Sequence, residues 1–427
     1  MSLKITARIQ SEFNSYFQRL SKYISKPEMR FVQEACHGIL TSKSIIITKM
    51  ATQLQDNIRL KKTQERFRRH YNKEGFWLKL IKGHIQSVKN VFHHGDYMLF
   101  DLSDIQKKYS KTMEGLAHVY DGSTKERGPG YWLANIVGIR RDGSRLLPLY
   151  SKLYSFAMDT VSENREIKSA IDLVSKYIHK KVIWVIDRGG DRQILIDYLL
   201  TASRLFIIRM MGDGKLQYLN KVQPFKKVSR RVRLHYTFTV EKIKKNHAVN
   251  ASYDVGAVKV NYVHRKTGAV YSGKQLWLVV TKGHGKGYSW YLVSSDKETS
   301  REVCEECFRG YGYRWKIEEY HRHVKDQYDL EDIQIRTFAG LQSMMSVITI
   351  AMYLLYSQTR DLHDKLILNT RIKVLEKHRF RELLGFVYYK ITTIFQILLM
   401  GTRVRTFRPG DKGARDNPDQ LALFKPF

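Results

Sequence analysis

The chain has 427 residues, 43% of them hydrophobic, which is enough apolar material for the cores of two or three ordinary domains and excludes a disordered or fibrous polypeptide. Its 74 Lys and Arg against 41 Asp and Glu leave a net charge of +33, far beyond what solubility requires, so a polyanion is the expected partner and nucleic acid leads. The basic residues are spread over the whole length instead of gathering beside one amphipathic anchor, which argues against a membrane surface, and three cysteines, Cys36, Cys304 and Cys307, fit a reducing cytoplasm better than a disulfide scaffold.

No apolar leader segment follows Met1, so export is not expected. From Leu3 to about Val91 apolar residues recur at three- and four-residue intervals, and clusters such as RLKKTQERFRRHYNK make this a basic helical module. The period then changes. DYMLFDLSD predicts a short strand ending in carboxylates, YWLANIVGIRRDGSRLLPLYSKLYS two strands around an Asp142–Gly143 turn, and ENREIKSAIDLVSKYI an amphipathic helix. The apolar run Val182–Ile186, bounded by lysines and by Asp187-Arg188-Gly189-Gly190, predicts a buried strand whose tip opens onto a loop and a helix, and RLFIIRM supplies another strand. This order predicts a mixed α/β sheet with helices on its faces.

Between Lys215 and about Ser295 the helical period is absent, and runs such as RVRLHYTFTVEKI, AVKVNYV, QLWLVVTK and YSWYLVSS predict an inserted β-subdomain. Its first part sets Lys215, Lys221, Lys226, Lys227, Arg230, Arg231, Arg233, Lys242, Lys244 and Lys245 against one acid, Glu241. Such a stretch is a phosphate-backbone track or a solvated strand edge. After Arg336 helices return. The run Met344–Leu355, too short to span a bilayer comfortably, reads as a buried core helix, and the segment beyond Arg405 has the composition of a mobile tail. Cys304 and Cys307 form a CxxC without a second pair to complete a zinc site, and they read as filler on one helical turn.

The stretch YGYRWKIEEYHRHVKDQ, residues 311–327, carries the chemistry. On one continuous helix, offsets of +3, +7 and +14 from Tyr311 bring Tyr311, Arg314, Glu318 and Lys325 within an arc of about 60°. Tyr313, Ile317, Tyr320 and Val324 fall on the opposite arc, ready to be buried. The ridge is either a solvated face with an Arg314–Glu318 ion pair or one arm of a carboxylate site. Two hard cations need oxygen ligands from separate elements, and Asp101 and Asp187, each at a strand tip, would complete such a set with Glu318. Asp104 and Asp121 compete with Asp101 for the first position. His321 and His323 are expected to be phosphate contacts or surface residues, since magnesium prefers oxygen.

The spacing Tyr311-x2-Arg314-x3-Glu318-x6-Lys325 resembles the Y-R-E-K signature of bacterial insertion-sequence DDE transposases of the IS-four type. VIDRGGDR resembles the second-aspartate motif of that family and FDLSDIQKKYSKTMEGL the first, so the likeness runs from about Asp96 to Ala339. The resemblance implies a ribonuclease-H-like core in which Asp101, Asp187 and Glu318 bind two magnesium ions, with manganese able to substitute. It implies DNA cleavage and strand transfer by a cut-and-paste route, with a hairpin as one intermediate. Arg314 and Lys325 would hold phosphates, the Tyr311 hydroxyl and Arg209 would contact the backbone, and Trp290 would stack on a flipped base. Partners would be double-stranded DNA at the element ends and target and a second copy of the chain in a synaptic complex, in a bacterial cytoplasm and away from membranes. Pattern, composition and the resemblance together divide the chain into a helical basic DNA-binding module (1–92), the first part of the catalytic core (93–214), the inserted β-subdomain (215–296), the core helices with the Y-R-E-K stretch (297–360), a C-terminal helical region (361–404) and a mobile tail (405–427). A metal-dependent nuclease or resolvase with the same core, and a non-catalytic DNA-binding derivative, are the alternatives.

Overall fold

The computed structural model describes residues 2–54, 57–120, 126–158, 162–244, 247–285, 287–358, 391–393, 395–396, 399, 402–404 and 424–426. Asp121, Lys245, most of 361–404 and nearly all of 405–427 lie outside the described residues.

Five helices open the chain: α1 (Ser2–Leu20), α2 (Lys26–Ser42), α3 (Ile47–Thr52), α4 (Leu60–Tyr71) and α5 (Phe76–Val88). Their periodic apolar residues are the buried ones, among them Phe13 and Phe17 of α1, Phe31 and Val32 of α2, Phe67 and Tyr71 of α4, and Leu80 and Ile81 of α5. The start of α2 is set by a capping box between Ser25 and Glu28. The buried Glu28 carboxylate also accepts from Lys73 Nζ at 2.5 Å and Lys79 Nζ at 2.6 Å, tying α2 to α5 and to the turn before it.

The sheet begins with β1 (Tyr97–Gln106), β2 (Ala117–Tyr120), β3 (Arg127–Ile139) and β4 (Leu146–Tyr154). The β3–β4 connection turns at Asp142–Gly143, where Asp142 Oδ1 accepts from Ser144 N at 2.9 Å and Gly143 has a φ of +74°, a conformation glycine adopts without steric cost. Helix α6 (Glu163–Ser175) leads to β5 (Ile183–Ile186), and α7 (Gln193–Thr201) crosses over from β5 to β6 (Leu205–Met210). β1 runs antiparallel to β3, and β3 to β4, whereas β5 is parallel to both β1 and β6, giving the order β4-β3-β1-β5-β6. All four residues of β5 are buried, as a central parallel strand covered on both faces requires.

The next elements are β7 (Lys215–Tyr218), β8 (Lys221–Pro224), α8 (Phe225–Ser229), β9 (Tyr236–Lys244), β10 (His247–Tyr262), β11 (Leu276–Gly283) and β12 (Tyr288–Ser294). They extend the core sheet: β12 pairs antiparallel with β6, followed by β11 and β10, and the described strands form one 12-stranded sheet. Helix α8 departs from the all-strand expectation for this region, because Phe225 and Val228, both buried, sit three residues apart and anchor one helical turn after Pro224.

Three helices complete the core: α9 (Ser300–Gly312), α10 (Trp315–Gln327) and α11 (Phe338–Tyr356). α11 is long and apolar enough to cross a membrane, but 89% of its apolar window is buried inside the fold, where it packs on β4, α5 and α2. Its Gln342 side chain bonds Leu153 N and O, at 3.0 and 2.5 Å, and so covers the backbone of the edge strand β4. Thr402–Val404 and Phe424–Pro426 pair as a separate antiparallel ladder.

Candidate active site

In the parallel β1/β5 ladder Phe100 stands opposite Ile186, so the next residues on the two strands are Asp101 and Asp187. Residues matched in register on parallel strands point to the same face, which brings the two carboxylates side by side where β5 ends. Asp187 then caps the single 3-10 turn Arg188–Gly190, its Oδ1 accepting from Gly189 N at 2.7 Å. Asp104, three residues further along β1, is 8% exposed and lies 3.8 Å from Lys325 Nζ, away from Asp187.

The Tyr311–Gln327 stretch is not the single helix its spacing predicts. α9 stops at Gly312 and α10 starts at Trp315, and between them Arg314 N bonds Tyr311 O at 3.1 Å and Ile317 N bonds Arg314 O at 3.2 Å, a tightened three-residue pitch. Glycine is the weakest of the non-proline helix formers, and two of them flank Tyr311. Gly310 is required by packing, since a Cβ there would meet the Tyr97 ring at 2.5 Å. Side chains three apart eclipse in such a turn, and the Arg314 guanidinium accordingly lies 5.9 Å from the centre of the Tyr311 ring. Arg209 of β6 approaches the same ring at 5.9 Å. Burial, opposed by Arg314 and Arg209, raises the Tyr311 hydroxyl above its ordinary pKa. Of the opposite arc, Ile317 at 0%, Tyr320 at 3% and Val324 at 3% exposure are buried as expected, whereas Tyr313, at the break, is only half-buried.

Glu318 is half-exposed and forms an ion pair with Arg314 one turn before it. Lys325 does not reach Glu318; it stands between Asp104 and Glu331, 3.4 Å from the latter. The three candidate carboxylates nonetheless sense one another: burial, with added repulsion from Asp187 and Glu318, pushes the Asp101 carboxyl up to about 7 against the pull of Arg314. Among the described residues, no group of three His, Cys, Asp or Glu side chains is drawn together tightly enough to hold an ion. The donors are hard carboxylate oxygens on three separate elements whose mutual repulsion a cation relieves, so the set fits magnesium in its chemistry.

Residues the motif reading did not select line one side of Asp101. Asp101, Asn135 of β3 and Ser151 of β4 stand opposite one another in register across three strands. The Ser151 hydroxyl donates to Asn135 Oδ1, and Asn135 Nδ2 donates to His321 Nε2 at 2.9 Å. Burial, with Lys325 and Arg314 nearby, lowers the His321 imidazole to about 3, so it is neutral and carries its proton on Nδ1, which faces Asp101 Oδ2 at 3.9 Å. His321 is therefore a shielded neighbour of the carboxylate and not a surface residue. His323 is a core residue, 1% exposed and bonded to Thr392 Oγ1 at 2.8 Å and to the Tyr356 hydroxyl. The sequence did contain one signal: Asn135 interrupts the apolar run of YWLANIVGI.

The second aspartate of VIDRGGDR is structural. Asp191 has a fully buried side chain that accepts from Met211 N at 2.7 Å and pairs with Arg265. Trp290 lies opposite Met210 on β12, half-buried, with its ring edge-on to Phe225 at 6.1 Å. Phe225 opens α8, so the exposed Lys226, Lys227, Arg230, Arg231 and Arg233 begin one residue from that contact. Cys304 and Cys307 are buried free thiols on α9.

Residues 150–354, slightly less than half the chain, match the family model of the transposase DDE domain, a span that contains Asp187 and Glu318 and begins after Asp101. No curated protein matches the chain. On a mixed α/β sheet that sets Asp101 beside Asp187 under a helix bearing Glu318, the domain match supports a DDE transposase.

Proposed function

We propose that the chain is a DDE transposase of the IS-four type that binds the inverted-repeat ends of its element, cleaves them and joins them to target DNA. The observation that carries this reading is the electrostatic meeting of Asp101, Asp187 and Glu318, two of them placed by the β1/β5 register. The order β4-β3-β1-β5-β6, an antiparallel meander joined to two parallel strands, supports a ribonuclease-H-like core.

Asp101, Asp187 and Glu318 would hold two magnesium ions, or manganese in their place. Bound there, the ions supply Lewis-acid stabilisation of the leaving oxygen and a more acidic attacking water or 3′-hydroxyl. Glu318 becomes available when Arg314 exchanges its carboxylate partner for a DNA phosphate, so backbone binding and ligand release are one event. Tyr311 and Arg209 stand beside that phosphate position, and Lys325, held between two acids, adds positive charge on its far side. The exposed side chains from Lys226 to Arg233 follow the DNA backbone, the helical module 1–92 recognises the element end, and Trp290 receives a flipped base during hairpin formation. A pair of chains brings two ends together in the bacterial cytoplasm, with no membrane partner.

The test is incubation of the full chain with terminal-repeat DNA and magnesium, reading nicks, hairpins and joined products. Asp187→Ala and Glu318→Ala should each abolish cleavage while retaining end binding. Near-normal nicking by either variant refutes the site, and nicking without joining makes the protein a nuclease or resolvase.

A further inference from the structure

Away from the carboxylates, a cavity of about 1240 Å3 opens between α3 and α4 on one side and the segment after β1 on the other, with residues 331–337 as its third wall. It exceeds the roughly 300–1,000 Å3 typical of small-molecule sites, so a segment of a polymer is the occupant it can fill. Its walls carry Arg68, Lys108, Lys111 and Arg336, all exposed, against the acids Glu331 and Asp332. Glu331 already faces Lys325, and among the described residues Arg68, Lys111 and Arg336 have no acidic partner. One further feature points to a ligand: Tyr109, between the two lysines, is 95% exposed, an aromatic face held in water.

We propose that this cleft binds a single strand of nucleic acid, with phosphates on Lys108, Lys111, Arg68 and Arg336 and a base stacked on Tyr109. An exposed aromatic ring among basic side chains is what an unpaired base and its backbone require together. A duplex presents phosphates but keeps its base faces inside the stack, leaving Tyr109 nothing to cover. An acidic peptide matches the charge and offers no succession of flat faces. The cleft begins five residues along β1 from Asp101, about 17 Å at the usual rise per strand residue, so a strand passing the carboxylates can continue into it. The inference rests on the cleft alone and holds whether or not those carboxylates carry out cleavage.

The experiment uses the full chain in EDTA, so that no cleavage can contribute, and measures fluorescence anisotropy of a labelled oligothymidylate of about 10 nucleotides, within the usual site sizes for single strands, and of a duplex of equal length. The double variant Lys108→Glu, Lys111→Glu should weaken single-strand binding by tenfold or more, and losing two phosphate contacts should flatten the log–log salt slope by about 1.4. Tyr109→Ala should weaken it by about tenfold. Both sites are exposed, so thermal midpoints should stay at the parent value, and duplex binding should change far less than single-strand binding. Single-strand affinity within twofold of the parent in both variants overturns the proposal. Equal losses for duplex and single strand also overturn it, by making the cleft a general backbone surface.

Discussion

Asn135→Ala tests whether the polar row beside Asp101 positions the site. Asn135 is 1% exposed and satisfies two buried partners, the Ser151 hydroxyl and His321 Nε2. Truncation leaves His321 Nε2 without its donor, while the Ser151 hydroxyl keeps Tyr320 as a partner, so the variant should lose about 1–3 kcal/mol. For a chain of this size that is a fall of about 1–3 °C in thermal midpoint. With Nε2 released, the His321 ring is free to turn away from Asp101, and single-turnover nicking should slow beyond what the unfolded fraction explains. Asn135→Asp keeps an acceptor for Ser151 but cannot donate to Nε2, and it buries a further carboxylate level with Asp101, whose own carboxyl is already pushed up by burial and repulsion. This variant should melt no higher than Asn135→Ala and nick at least as poorly. Parent-like midpoints and nicking rates in both variants would show that the row plays no part.

The remaining expectations concern other parts of the molecule. Trp290→Ala removes a half-buried ring from Phe225, so it should cost about 2 kcal/mol, roughly half a full aromatic truncation, and slow hairpin formation about tenfold while sparing the first nick; a lowered midpoint with normal hairpin yield would leave Trp290 a packing residue only. Asp191→Ala leaves the Met211 N–H unpaired and takes the acid from Arg265, whose side chain is 29% exposed, so it should cost about 1–3 kcal/mol, whereas Asp187→Ala should leave the midpoint nearly unchanged; equal melting of the two would contradict the division between structural and site aspartate. Lys73 and Lys79 hold the Glu28 carboxyl down at about 2, below its ordinary 4.5. Stability from this depressed acid is complete above about pH 4.5 and is lost as pH falls toward 2, so Glu28→Gln should cost about 1–2 kcal/mol at pH 7, discounted because both lysines are half-exposed, and nearly nothing at pH 2. Urea titrations at the two pH values check it, and an equal gap at both refutes it.

What the sequence by itself determined is whatever depends on neighbours along the chain. The apolar run ending in Asp187 marked a strand tip, whereas β1 runs on past Asp101 to Gln106, so the tip expected at Asp101 is a mid-strand position; the three- and four-residue spacing of Ile317, Tyr320 and Val324 marked the buried side of α10, because period and burial are local consequences of backbone geometry. The choice between Asp101 and Asp104 was not legible, since it turns on which residue of β1 stands level with Asp187, and a parallel register joins segments 86 positions apart. The break after Gly312 escaped for a related reason: periodicity counts positions on an ideal helix, whereas packing Gly310 against Tyr97 brings in a strand from 213 residues earlier. Asn135, Ser151 and His321 came together only in the folded sheet, where β4, β3 and β1 lie side by side and α10 crosses them. Only tertiary structure decides such a row, because a hydrogen bond between side chains 186 residues apart leaves no spacing to read.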